Sequence, residues 1–123
     1  MVLCDTNILI EFYKNNPKIT QELRQLGLSQ LAISVITQAE LYYGAFNKAE
    51  LNSIKTHLSA LHILPINPTI STGFLHLMET YSLSHKLSIP DALIAATALV
   101  NQIELYTLNT KDFHFITGLN LHM

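Results

Sequence analysis

Apolar residues along this chain switch between short continuous runs and helical spacing, which predicts strands and helices in turn. Val2-Leu3-Cys4 is an apolar run that stops at Asp5, after which Ile8, Leu9 and Phe12 fall on one helical face. Asn15-Asn16-Pro17 breaks that pattern, and Ile19, Leu23 and Leu26 mark a second helix that Gly27 stops. Leu31 to Val35 predicts a second strand. From Thr37 the spacing of Leu41, Ala45 and Phe46 is helical, and past Asn47-Lys48 it resumes with Leu51, Ile54, Leu58 and Leu61, a helical pair. His62 to Ile66 reads as a short strand despite Pro65, Asn67-Pro68 opens a helix reaching about Leu83, and Asp91 begins an alanine-rich one. Glu104 to Leu108 predicts a fourth strand, and Leu119 to His122 a fifth at the sheet edge.

This alternation favours an α/β fold in which a parallel sheet is covered by helices on both faces, and such sheets place their sites at the carboxyl ends of the strands. A chain of 123 residues, 49% of them hydrophobic, supports one core and is too short for two ordinary domains, so residues 1-123 are read as a single domain.

Charge changes the picture by exclusion. Only 13% of residues are charged and the net charge is -2, so no broad basic face is available and any nucleic-acid contact must be local. Lys14, Lys48, Lys55, Lys86 and Lys111 are scattered. The single cysteine, Cys4, excludes an internal disulfide framework and fits a small buried residue in a reducing compartment. Met1 to Ile10 is interrupted by Asp5 and lacks a basic leader, unlike a secretory signal. The longest apolar run, Ala92 to Val100, falls far below the roughly 20 residues of a membrane span. The expectation is a cytoplasmic protein without membrane association.

The acidic residues carry the candidate chemistry. The chain has three aspartates, Asp5, Asp91 and Asp112, and each falls at the start of a helix or just past a strand, as does Glu40 after the second strand. Each alone reads as well as a structural residue. Ser88-Ile89-Pro90-Asp91 and Thr37-Gln38-Ala39-Glu40 both fit the capping box, Asp5-Thr6-Asn7 fits a helix cap, and Asp112 fits an exposed turn. Together they occupy corresponding ends of successive strand-helix units, and carboxylates gathered there either hold protons at neutral pH or bind a cation. Hard oxygen donors favour Mg2+ or Mn2+, and no cysteine or histidine pair offers a competing zinc site. The six histidines, His57, His62, His76, His85, His114 and His122, are read as packing or surface residues.

Four segments resemble the PIN-domain nucleases, most closely the VapC toxin ribonucleases of bacterial type II toxin-antitoxin modules. They are Leu3-Cys4-Asp5-Thr6-Asn7, Ser34 with Thr37-Gln38-Ala39-Glu40-Leu41, Pro90-Asp91-Ala92-Leu93-Ile94-Ala95-Ala96, and Thr107-Leu108-Asn109-Thr110-Lys111-Asp112-Phe113. Four weak motifs in this order and spacing make a strong signal. The resemblance implies a PIN-like three-layer α/β/α fold with a sheet of about five strands, order 3-2-1-4-5. It implies a metal-dependent endoribonuclease whose acids, Asp5, Glu40, Asp91 and Asp112, hold one or two divalent ions. Asp112 is assigned as the fourth acid with Asn109 as its neighbour, and Thr6, Asn7, Ser34 and Thr107 as residues that orient acids or waters. It further implies an RNA substrate, a cognate antitoxin and a homodimer, with Leu41, Tyr42, Phe46, Leu51 and Ile54 as interface surface or ordinary core.

Competing readings fit less well. A receiver domain needs a phosphoacceptor aspartate after the third strand, where Ile63-Leu64-Pro65-Ile66-Asn67 has none, and a haloacid-dehalogenase-like phosphatase needs an aspartate at Asn7. The alternative kept open is a catalytically inactive PIN-like domain that binds RNA or protein.

Overall fold

The computed structural model describes residues 1–123. Four strands, β1 (Val2–Cys4), β2 (Leu31–Ser34), β3 (His62–Leu64) and β4 (Glu104–Tyr106), form one parallel sheet in the order β3-β2-β1-β4. Helices α1 (Thr6–Tyr13) and α2 (Pro17–Leu26) connect β1 to β2. Helices α3 (Val35–Tyr43) and α4 (Lys48–Leu58) connect β2 to β3, and α5 (Pro68–His85) and α6 (Ile89–Asn101) connect β3 to β4.

Side chains alternate across a strand, and here the alternation sorts the core into two layers. Leu3, Ala32 and Leu105 face one cluster with Ile70, Leu77, the alanines of α6 and Phe113. Val2, Cys4, Leu31, Ile33 and Tyr106 face the other, with Ile8, Leu9, Ile19, Leu23 and Leu58. Strands β1 and β2 are buried at every position because both faces are covered. The three-layer α/β/α fold expected from the strand-helix alternation is thus the one formed.

Four local expectations are corrected. The fifth strand reduces to one parallel bridge, Leu105 to Leu121, on the outer side of β4. There Leu105 N donates to Asn120 O at 2.9 Å, His122 N donates to Leu105 O at 2.8 Å, and the His122 side chain turns toward Glu22 and Glu104, 2.9 and 3.1 Å away, so two backbone bonds and one side chain hold the last residues. β3 ends at Leu64, before Pro65, which has no N–H to donate to a ladder. β4 ends at Tyr106, two residues short of Leu108. α4 ends at Leu58, and Leu61 is buried beyond it. Of the residues offered as interface surface, Leu41 is core, Tyr42 and Ile54 pack against the core, and Phe46 is 91% exposed in the α3-α4 connection.

Helix ends follow their caps. Asn16 accepts from the amides of Lys18 and Ile19 ahead of Pro17, and Gly27 ends α2 at φ 85, a backbone conformation that glycine adopts without a Cβ penalty. Asn67 accepts from Ile70 N at 2.8 Å and starts α5. α5 and α6 pack closely, and a Cβ on Gly73 would meet Ala96 Cβ and Val100 Cγ2 at 3.8 Å, ordinary van der Waals contact. Gly73→Ala is therefore expected to stabilise the protein by about 0.5–1 kcal/mol, raising Tm by roughly 2–4 °C. A lowered Tm would mean that the α5-α6 interface cannot accept one methyl group.

The connections place a topological switch between β1 and β4. The chain runs outward from β1 through β2 to β3, then returns across the sheet to β4. A crevice opens at the carboxyl ends of strands where the order reverses.

Candidate functional site

Register brings the first acid to that crevice. Cys4 pairs with Tyr106, so the residues that follow, Asp5 and Thr107, leave β1 and β4 side by side. Asp5 N donates to Tyr106 O at 2.9 Å. Asp5 is also the N-cap of α1, with extended backbone, and its Oδ1 accepts from Thr6 N at 2.8 Å. Its Oδ2 accepts from Thr107 Oγ1 at 2.7 Å, and that hydroxyl accepts in turn from Asn109 N at 3.1 Å. Both carboxylate oxygens are held, and the residue is 6% exposed. Asn7 reaches the same loop, its Oδ1 lying 3.4 Å from Leu108 N.

Glu40 arrives from the other side. Ser34, fully buried at the end of β2, caps α3 by accepting from Ile36 N at 3.1 Å. The helix therefore starts at Val35, and the capping box expected from Thr37 to Glu40 does not form. Glu40 sits on the second turn, not the first, with an exposed side chain. Thr6 Oγ1 donates to Glu40 Oε1 at 2.7 Å and lies 3.0 Å from Thr37 Oγ1. Thr37 is fully buried and was missed as a support by sequence reasoning. Its three-residue spacing from Glu40, one helical turn, was the available signal.

α6 supplies Asp91. The helix begins at Ile89 rather than at Asp91, because Ser88 is the cap and accepts from Asp91 N at 3.2 Å, half of the capping box expected there. Asp91 thus lies at the third helical position, half-buried. Asp112 closes the short 3-10 turn Thr110–Asp112 beyond β4, where its N–H donates to Asn109 O at 3.0 Å, and its side chain is exposed. Phe113, fully buried beside it, anchors this loop.

Electrostatics tie the four acids together. Burial pushes the Asp5 carboxyl above its ordinary value, against hydrogen bonds from Thr107 and Thr6 that favour the charged form, and the charges of Glu40 and Asp112 add to the rise. Asp91 is pushed up to about 6, first by burial and then by the Asp5 charge, with a Ser88 hydrogen bond opposing and Asp112 and Glu40 adding. The N-termini of α1 and α6 offset part of this repulsion. No three His, Cys, Asp or Glu side chains close on a common point as a ready-made cage. The acids share a rim, on which Asp5 and Asp91 feel the charges of Glu40 and Asp112, and Asp91 that of Asp5 as well. The donors on that rim are carboxylate, hydroxyl and amide oxygens, a set that fits a hard divalent cation and not zinc.

A pH dependence follows for the metal-free protein. Asp91 titrates near 6 when folded and near its ordinary 3.8 when unfolded, so the folded state carries the full cost of the charge above about pH 6 and none below about pH 4. In EDTA, Asp91→Asn is expected to melt higher than wild type at pH 7.5, with the gap closing as pH falls through that window. Parallel melting curves across the window would contradict the placement of Asp91 among like charges.

Three of the histidines are engaged by partners other than the four acids. His57 stacks on Phe12 with ring centroids 5.4 Å apart and its Nδ1 lies 2.8 Å from Tyr13 Oη, while His85 stacks on Phe115 at 4.1 Å. His122 bridges Glu22 on α2 and Glu104 on β4.

Comparison with known proteins agrees with this architecture. The PIN domain family model matches residues 2–117. Ribonuclease VapC10 of Mycobacterium tuberculosis is 34% identical over 117 residues, covering 92% of this chain and 86% of the relative. Ribonuclease VapC1 of Haemophilus influenzae is 34% identical over 127 residues, covering 95% and 92%. Among solved structures, a toxin-antitoxin complex from Klebsiella pneumoniae aligns with a TM-score of 0.83 at 37% identity, over 97% of this chain and 95% of that one. A match that runs from the first strand to past the loop carrying Asp112 makes this chain a member of the PIN domain family.

Proposed function

We propose that this chain is a metal-dependent endoribonuclease, the toxin of a type II toxin-antitoxin pair, with Asp5, Glu40, Asp91 and Asp112 as its catalytic centre. The observation that carries this reading is the gathering of the chain's three aspartates with Glu40 at one switch point of the sheet: Thr6 links Asp5 to Glu40, and Asp5 and Asp91 both lie in the field of Glu40 and Asp112. Relatives named as ribonucleases and a structural neighbour named as a toxin-antitoxin complex support the same activity and a cognate antitoxin as partner. The donor set supports Mg2+ or Mn2+, which when bound activates water and steadies charge on phosphoryl oxygens.

The residues divide the work by how they are held. Asp5, fixed through both oxygens, and Asp91 at the start of α6 are the central ligands. Glu40, exposed and oriented by Thr6, is a further ligand or takes a proton through a water. Asp112 stands at the outer edge beside Asn109. Lys111 adjoins Asp112 in sequence and Lys86 precedes the Ser88 cap; neither takes part in any of the ion pairs of the fold, which leaves both free for RNA phosphates. No helix is long and apolar enough to cross a membrane. The active form is a homodimer in this reading.

The test is cleavage of single-stranded RNA by the purified chain in EDTA, then with Mg2+ or Mn2+ in excess. The expected result is no cleavage in EDTA and restored cleavage with either ion. Undiminished cleavage in EDTA would overturn the metal dependence, and no cleavage under any condition would overturn the ribonuclease.

A further inference from the structure

The rim that carries Glu40 continues into a shallow open groove of about 500 Å³, lined by Thr6, Ile10, Ala39, Glu40 and Tyr43. Its apolar walls are Ile10 on α1, 41% exposed, and Tyr43 on α3, 94% exposed. A ring this exposed contributes almost nothing to the core, so folding does not explain it. Tyr43 follows Glu40 by three residues on the same helix, which sets the two side chains one turn apart on one face. Thr6 touches both the groove and the acid, through its 2.7 Å hydrogen bond to Glu40.

The lining selects the occupant. No cation borders the groove and Glu40 lines it, so the lining itself offers a phosphate no partner, while an uncharged planar group can lie on the Tyr43 ring. Single-stranded RNA offers unstacked bases with two apolar faces, and exposed aromatic rings hold such bases without reading their sequence. The chain has 7 Lys and Arg against 9 Asp and Glu, so affinity drawn from stacking also relieves the shortage of positive charge.

We propose that Tyr43 is a stacking platform for one nucleobase of single-stranded RNA beside the phosphate that is cleaved, with Ile10 closing the far wall of the groove. This rests on the ribonuclease reading above and adds a substrate-binding residue to it. Stacking on Tyr43 fixes the path of the strand across the acids.

The experiment compares Tyr43→Ala, Tyr43→Phe and Tyr43→Trp with the wild-type chain on a short single-stranded RNA in Mg2+. Tyr43→Ala is expected to lower kcat/KM about tenfold or more, chiefly through KM, while Phe and Trp restore it because they keep the ring. A set of RNAs with one abasic nucleotide each locates the base. At one position the abasic substrate should cost wild type as much as Tyr43→Ala does, and the two defects should not multiply. Anisotropy of labelled RNA on the non-cleaving Asp5→Asn chain, with and without Tyr43→Ala, judges stacking separately from cleavage. Unchanged binding and kinetics in Tyr43→Ala, failure of Phe to rescue, or equal losses at every abasic position would each overturn the proposal. So would a Tyr43→Ala chain that handles RNA normally but shifts in sedimentation or loses a protein partner, since the surface would then be a protein interface. If wild type binds RNA through Tyr43 but cleaves none, the ribonuclease reading fails and the stacking site stands.

Discussion

Asp5→Asn is expected to lower RNA cleavage by on the order of a thousandfold or more and to leave the fold intact. The asparagine keeps an oxygen for Thr6 N, and its amide replaces the oxygen that now accepts from Thr107 Oγ1, so the α1 cap and the tie to β4 survive with a reversed donor. What disappears is the one carboxylate held on both oxygens and buried between β1 and β4. Because burial and the neighbouring acids already push the Asp5 carboxyl up, removing its charge should raise the melting temperature in EDTA. Cleavage at the wild-type rate, or a protein that no longer melts cooperatively, would contradict this account of Asp5.

The second large effect is a failure of additivity. Combining Asp5→Asn with Asp91→Asn should cost hardly more than either change alone, because ligands of one ion act as a unit and the remaining ones contribute little once it is lost. The physical coupling is already visible without the ion, since the Asp5 charge is the leading neighbour that pushes Asp91 up. Asp112→Asn should be the mildest of the four single changes: its side chain is exposed, on a loop, and adjoined by Asn109. Cleavage rates across a magnesium titration test both points. Independent roles for Asp5 and Asp91 would multiply their defects, and an Asp112→Asn defect equal to that of Asp5→Asn at saturating Mg2+ would overturn the outer position.

Part of this site was legible because Asp5 directly follows a strand, whereas Asp91, expected at the end of a strand-helix unit, stands in the α5-α6 connection and follows no strand, and Glu40 and Asp112 lie several residues beyond β2 and β4. A run such as Val2-Leu3-Cys4 ending at Asp5 marks where a buried strand meets solvent, and parallel register then carries that point to the same edge as Thr107. The motif resemblance added the pairing of Asp5 with Glu40 and Asp91, which lie far apart in sequence. What stayed hidden depended on choices between near-equivalent residues. Ser34 and Thr37 both have hydroxyls able to cap a helix; Ser34 takes the role because its backbone is extended at the end of β2, and this moves Glu40 to the second turn and buries Thr37. The edge strand shortens to one bridge: backbone bonds to Asn120 and His122 flank Leu105, Leu119 and Leu121 pack against the core, and the His122 side chain turns to Glu22 and Glu104. Tyr43 stands two residues after the buried Leu41 and so on the opposite side of α3, and that spacing was the available signal for its exposure.

The central claim is that these four acids form one divalent-cation site, and calorimetric titration of the chain with Mn2+ tests it without reference to RNA. Wild type is expected to show saturable binding, Asp112→Asn weakened binding, and Asp5→Asn and Asp91→Asn none, each with an unchanged circular dichroism spectrum. Saturable Mn2+ binding that survives in both Asp5→Asn and Asp91→Asn would contradict the account.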